Sequence, residues 1–272
     1  MKPVQQFAKV ALRAERDSTA TMRALLADLD RELRTLQNRR TLDKTGEAQI
    51  RRILRKQSAA WADLTSAIDR DREAARKAAN LAADETDRRF LDRLSLTAKQ
   101  RRELSSGLPF DRRDSSEVAR RVSDSNRVAR NMLAKRLNAS TGPKEAALAV
   151  KSSAQPRQKG GISYVAKRLV RTEIAKAFHD AQIARAEQTP WVKGLRWTLS
   201  PTHQGPDICD KLAGRVFAPR RQSVPDIPHP NCMCTLEPVL MSDKEFQKAL
   251  ENGVFDRLTG GKPLSVAKRK QL

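Results

Sequence analysis

The sequence predicts a mainly α-helical protein: long antiparallel helices in the N-terminal part, then a small C-terminal α+β module stapled by a Cys/His metal knuckle. Three observations predict it. Aromatic residues are only 4% of the 272 residues while charged residues are 32%, a composition that suits long Ala/Leu/Arg/Glu helices better than a large enzyme-type core. Apolar residues recur at steps of three and four over most of the chain up to Pro190, the spacing of helices that pack along one face. All three cysteines and two of the three histidines then fall between His203 and Cys234, the clustering that marks a metal site.

The first helix is expected over residues 3–38, with Met22, Leu26, Leu29, Leu33 and Leu36 forming a heptad-like seam. A polar break with Asp43, Thr45 and Gly46 follows, and Ile50, Leu54, Gln57, Trp61, Leu64 and Ile68 resume the same steps, so the two helices should pair as an antiparallel hairpin. The second helix should continue through the alanine-rich 74–83 to about Leu94, with Thr97 capping a short helix that carries Leu104. Gly107, Pro109 and the charged 111–114 read as a joint. Ser116 opens another helix carrying Val118, Val122, Val128, Met132, Leu133 and Leu137, ended by Asn138 to Pro143. Residues 151–161 have linker composition.

Val165, Leu169, Ile174, Phe178 and Ile183 place the last long helix from Ile162 to about Glu187, stopped by Pro190. Beyond it, 192–199, 214–217 and 235–240 read as short strands, because β-branched and aromatic residues sit between Pro/Gly turns. A final short helix spans 242–251, with Ser242 as cap and Glu245 completing a capping box. The tail after Gly260 is basic and lacks an apolar face. The expected regions are therefore a docking hairpin 1–107, a connector and basic linker 108–161, a core 162–252 with the knuckle, and a basic tail 253–272.

Net charge is +22, which makes a polyanion the natural partner. The charge is spread: 24 basic against 16 acidic side chains in residues 1–107, 17 against 8 in 108–189, and 13 against 8 in 190–272. Diffuse charge suits phosphate contacts indifferent to base sequence, hence non-specific binding of double-stranded DNA. A solvated helical surface is the plainer reading of the same charge. The N-terminus lacks an apolar run of signal-peptide length and no later segment approaches a membrane span, so folding in a cytoplasm, away from membranes, is expected. Three cysteines in a reducing compartment argue against a disulfide framework.

Within the cluster, His229, Cys232 and Cys234 lie in H-P-N-C-M-C, where Pro230 can stiffen the turn so that soft donors converge. Tetrahedral zinc takes four ligands, and Cys209, His229, Cys232 and Cys234 are the preferred set with His203 in reserve. Such a set is closed to water and therefore structural. Without metal, the same residues would be buried thiols and hydrogen-bonded imidazoles knitting a small β module together. Catalytic zinc patterns lack their parts: His203 is followed by Gln204 and Gly205 rather than H-x-E, the cysteines are C-x-C, and no H-E-x-x-H pair exists.

Asp207 and Asp210 flank Cys209 and could serve a metal-assisted nuclease, although accepting hydrogen bonds from turn amides or a ligand imidazole is the commoner role. His179, inside a predicted helix beside Phe178, reads as a packing or surface residue. No Gly-rich phosphate loop and no G-x-S-x-G elbow occur.

Taken in order, R-T-E at Arg171 to Glu173, W-T-L-S-P-T-H at 197–203, P-D-I-C-D-K-L-A-G at 206–214 and H-P-N-C-M-C at 229–234 resemble the Mu F-type phage head morphogenesis, or minor capsid, proteins. The resemblance covers roughly 162–240. Many members carry C-x-x-C before H-P-x-C-x-C, whereas Leu212 stands three residues after Cys209 here, which keeps His203 among the possible ligands. The resemblance implies a non-enzymatic virion protein, present in few copies at the portal inside the head, assisting head assembly and DNA packaging or delivery. Its implied partners are the portal protein, packaged DNA, and a scaffold or major capsid protein, with the host cytoplasm as the place of assembly. Arg171 and Glu173, two apart on a helix, do not face each other and are assigned to tertiary ion pairs or caps. The alternatives are a metal-dependent nuclease or toxin-like enzyme acting on nucleic acid, and a chromosomal DNA-binding protein, which gives the knuckle no reason.

Overall fold

Helical periodicity governs the long elements, and the caps set where they begin. The computed structural model describes residues 3–37, 44–94, 96–106, 116–139, 145, 148, 152 and 162–259. Helices α1 (Pro3–Gln37), α2 (Lys44–Asp92), α3 (Ala98–Ser106), α4 (Ser116–Asn138) and α5 (Ile162–Gln188) precede a mixed segment. That segment comprises β1 (Val192–Thr198), α6 (Ile208–Leu212), β2 (Val216–Phe217), β3 (Thr235–Leu240), α7 (Asp243–Glu251) and a 3-10 turn, Asp256–Thr259. The chain is mainly helical with a small three-stranded antiparallel sheet and a nearby Cys/His cluster, the predicted class.

The chain forms two compact units. The first comprises Val10–Glu73 and Asp114–Ile174. Its α2 seam buries Ile53, Gln57, Trp61, Leu64 and Ile68 at steps of four, four, three and four. Ile53 takes the place expected of Leu54, which is half-buried. On α1, Met22 is buried with Leu25 and Ser18, while the side chains of Leu26, Leu29, Leu33 and Leu36, and that of Ile50, lie outside the described residues. The α1–α2 pairing is antiparallel: Lys56 bonds Asp28, and Arg52 pairs with Glu32, so position falls by four on α2 as it rises by four on α1. The expected polar break is shorter than predicted, because Thr45 and Gly46 already belong to the first turn of α2, where amides have no intrahelical partner to lose. Asp43, the joint at 107–114, the tail from 260, and the linker at 151–161 apart from Ser152, lie outside the described residues.

A buried ion pair ties this unit together. Glu173, only 1% exposed, is gripped by Arg121 through Nε–Oε1 (2.5 Å) and NH2–Oε2 (2.7 Å). Arg171 reaches Glu15 instead. The R-T-E segment thus makes two separate tertiary ion pairs from neighbouring helix faces.

The second unit comprises Met1–Lys9, Ala74–Arg113 and Ala175–Leu272. Its sheet has the order β2-β1-β3, both pairs antiparallel. A register shift between Val192 and Gly194 lets adjacent Gly194 and Leu195 both be buried, which is what a bulge does to strand alternation. Gly194 is required there, since a Cβ would stand 2.5 Å from Val216 Cγ1. The β3 strand runs as predicted. β2 begins two residues later than predicted because Gly214 occupies a left-handed turn position at φ 75°.

Aromatic packing supplies the core. Phe246 stacks on Phe255 at 4.6 Å and meets Phe90 edge-on at 5.4 Å, with Trp191 beside both. Phe255 and Leu258 are buried, so the core continues past the expected boundary at 252. Trp191 Nε1 donates to Asp87 (2.7 Å), which also binds Arg185 (2.9 Å). Predicted caps close the short helices: Thr97 and Gln100 exchange bonds at the start of α3, and Ser242 with Glu245 forms a capping box on α7. No described helix is long and apolar enough to cross a membrane.

Candidate metal centre

Two turns and one short helix bring the sulfur and nitrogen donors together. After β1, the chain turns back with the His203 amide donating to Ser200 C=O (2.9 Å). Asp207 then caps α6, its Oδ1 accepting the Cys209 amide at 2.6 Å, and Asp210 Oδ2 reciprocates by accepting the Asp207 amide at 2.7 Å. This capping box starts a five-residue helix that has too few internal hydrogen bonds to hold itself, and it fixes Cys209 in the first turn.

The second arm is H-P-N-C-M-C. Cys232 N–H donates to His229 C=O at 3.3 Å, with Pro230 and Asn231 between them and Asn231 at φ 66°. Proline second and a left-handed asparagine third is the type II arrangement, so Pro230 does stiffen this turn. Cys232 and Cys234 follow, and β3 begins at once with Thr235.

The three thiols are buried, at 0%, 2% and 3% exposure for Cys209, Cys232 and Cys234. Their sulfurs lie within 4.8 Å of one another. Cys209 Sγ is 3.5 Å from Cys232 Sγ and 3.2 Å from His229 Nε2. A tetrahedral ion with metal–sulfur bonds of about 2.3 Å sets its sulfurs roughly 3.8 Å apart, and sulfur from nitrogen roughly 3.6 Å. The Cys209–Cys232 and Cys209–His229 pairs need open by only a few tenths of an ångström to match. The His229 ring is oriented from behind: Nδ1 faces Pro230 C=O at 3.0 Å, and a proton donated there leaves the Nε2 lone pair for Cys209 Sγ. Nε2 also stands 3.1 Å from Asp207 Oδ2, so a thiol, an imidazole and a carboxylate converge. Cys209, Cys232, Cys234 and His229 form a cluster able to bind a metal ion.

Protonation within the cluster is uneven. Burial pushes the Cys209 thiol up to about 12. Cys232 is raised further, first because it donates to Cys234 and then by burial. Cys234, accepting that hydrogen bond, falls to about 6. A metal that enters must displace thiol protons.

His203 is held by carboxylates. Its Nε2 bonds Asp210 Oδ2 at 3.1 Å, with Asp207 Oδ1 at 4.0 Å, and that hydrogen bond raises its pKa. Asp210 is lowered, first by the Asp207 amide and then by His203. The reserve ligand thus groups with two carboxylates, and the Cys234 charge acts on its ring as well, while Asp207 and Asp210 have the turn-capping and imidazole-holding roles expected of them. His179 is a packing residue, 2% exposed, edge-on to Trp197 at 5.2 Å.

Sequence reasoning missed the polar group Asp87–Arg185–Trp191 in the second unit. Its members lie about a hundred positions apart in the chain, and no local spacing signals them. No family model matches the chain, and no curated protein or solved structure matches it either.

Proposed function

We propose that this protein is a minor capsid, head-morphogenesis protein of the Mu F type, bound at the portal inside a phage head, where it contacts double-stranded DNA and assists assembly and packaging or delivery. The observation that carries the reading is the use made of the motif segments. Glu173 ends in a buried ion pair, Trp197 in the core, and Cys209, His229, Cys232 and Cys234 in one donor cluster. These are scaffold roles, and they favour a pattern kept for architecture over one kept for catalysis. The +22 charge supports salt-sensitive contact with DNA phosphates.

Zinc is the ion we assign to the cluster, held by three thiolates and the His229 imidazole, where it would cross-link two loops at a closed structural site. The portal is the deciding partner. A pull-down of the portal protein from the same genome by the full chain, with retention weakened by salt for DNA and not for portal, is the expected result. No portal capture and no DNA binding at low salt would remove the proposal.

One observation favours a second reading. His203, Asp207 and Asp210 offer a nitrogen and two carboxylates within 4.8 Å, a donor set suited to a metal-dependent nuclease. Plasmid incubated with the protein and magnesium or manganese should stay intact; cleavage abolished by Asp210→Asn would establish the enzyme instead.

A further inference from the structure

Ion pairing leaves the charge of this chain unevenly balanced among its helices. α1 carries six basic against five acidic side chains and α2 eleven against nine, so their cations have acids at hand. Arg31 binds Asp28 (2.6 Å), and Arg88 and Arg89 share Glu85 (both 2.6 Å). α4 carries six against two, the largest excess of any described helix.

Packing turns that excess outward. Val122 and Ala129 are buried, and Arg121 reaches the buried Glu173 of α5, which fixes the rotation of α4 about its axis. Arg120, Arg127, Asn131 and Lys135 are left to solvent at steps of seven, four and four, and so lie in one strip along the helix. Ser123 and Arg130 are exposed beside it. The strip from Arg120 to Lys135 spans roughly 22 Å. Arg120, Arg130 and Lys135 make no ion pair among the described residues. Arg127 meets Asp124 at 3.0 Å, with 72% and 57% of the two side chains exposed, a pair that water weakens and a stronger anion displaces.

Such a face matches duplex DNA. Guanidinium and ammonium groups meet phosphate oxygens, and serine and asparagine add neutral donors of the kind that contact the DNA backbone. α4 has no aromatic residue on which unpaired bases could stack, which disfavours a single strand. A lipid surface would need several apolar side chains outward, and Val128, 49% exposed, is the one large hydrophobic residue exposed on the described part of α4.

We propose that the outward face of α4, formed by Arg120, Ser123, Arg127, Arg130, Asn131 and Lys135, is the surface against which the phosphate backbone of double-stranded DNA lies. It rests on the DNA contact proposed above, and assigns that contact to one helix instead of to the diffuse charge of the whole chain.

A labelled DNA duplex of arbitrary sequence, titrated with the full chain by fluorescence anisotropy over a series of salt concentrations, is the probe. Replacing Arg120, Arg127, Arg130 and Lys135 by glutamine removes four cations from the face. The slope of log affinity against log salt should become shallower by about 3, and binding near physiological salt should weaken at least ~tenfold. The control replaces Arg215, Arg220, Lys244 and Lys248, exposed cations of the second unit, by glutamine. The same charge is lost, and slope and affinity should stay close to those of the parent. Helical circular dichroism checks folding. If the fourfold variant does not fold, Arg120→Gln with Arg127→Gln, and Arg130→Gln with Lys135→Gln, should each give about half the change. A single strand of the same length should bind more weakly than the duplex. Equal losses in the α4 and control variants, an unchanged α4 variant, or a single strand bound as tightly as the duplex overturns the proposal while DNA binding itself stands. No binding of the duplex by the parent at low salt removes both.

Discussion

Asp207 Oδ2 stands 3.1 Å from His229 Nε2 while its Oδ1 takes the Cys209 amide at 2.6 Å. One carboxylate therefore fixes the helix that carries a thiol and faces the imidazole that joins it. Asp207→Ala should lose the cap, about 0.5–2 kcal/mol, and loosen the turn that carries Cys209. Zinc affinity should fall roughly 10- to 100-fold, as for other residues that orient metal ligands. Competition with a chromogenic chelator measures this, and an unchanged affinity would show that the carboxylate plays no part in the site.

Cys232 Sγ and Cys209 Sγ, 3.5 Å apart, come from the two arms that an ion would join. Elemental analysis of purified protein should give one zinc per chain. Cys232→Ser should abolish it, and a strong chelator should lower the melting temperature of the parent protein but not of the variant. Equal metal content and equal melting in the two proteins would sink the zinc assignment.

Glu173 is gripped by Arg121 at 2.5 and 2.7 Å and is 1% exposed. Arg72, itself buried, also reaches Glu173 at 3.9 Å, so removing Glu173 takes a buried carboxylate from two guanidinium groups. Glu173→Gln should therefore destabilise the protein by about 3 kcal/mol, and Glu173→Leu with Arg121→Met should recover part of that loss, because Arg72 keeps its charge. Urea denaturation of the three proteins tests it; a double variant no better than the single one contradicts the account.

His179 has a pKa lowered from 6.5 to about 3, first by burial and then by the Arg221 charge, with Asp226 opposing. The native ring stays neutral where the unfolded one takes up a proton. Its folded pKa is depressed, so stability is lost as pH falls below about 6.5, by at most ~1.4 kcal/mol per pH unit. Glu245, lowered to about 2 by Lys193 and the Ser242 cap, loses its contribution only below the ordinary carboxylate range near 4.5. His203, raised by Asp210, has the opposite sign. His179→Phe should therefore flatten the decline between pH 6.5 and about pH 5 relative to the parent protein, as followed by chemical denaturation; an identical slope would place the pH dependence elsewhere.

Gln57 is fully buried in the α2 seam, and neither amide atom has a hydrogen-bond partner among the described residues. Gln57→Met preserves volume and removes an unpaired donor and acceptor. It should stabilise the protein by about 1–2 kcal/mol. A loss of stability in urea would mean that the amide is satisfied by bound water.

The helices, their caps, the strand β3 and the gathering of donors into residues 203–234 are legible in the residue order alone. Each is written over short chain distances. Helix faces repeat every three or four residues, Ser242 with Glu245 and Thr97 with Gln100 are three apart, and H-P-N-C-M-C folds through one turn. Even so, periodicity could not separate Ile53 from Leu54, because a seam with steps of three and four drifts by one position until the partner helix is present.

The donors' company and the buried charges are set by how the elements pack in space. His203 and His229 are alike as sequence symbols, and nothing local says that one faces Asp210 while the other faces sulfur. That outcome follows from where α6 and the Pro230 turn meet in space. Likewise Glu173 with Arg121, and Asp87 with Arg185 and Trp191, join residues from separate elements. Such pairings depend on how packed elements cross and not on residue type, and a linear sequence displays type and spacing alone.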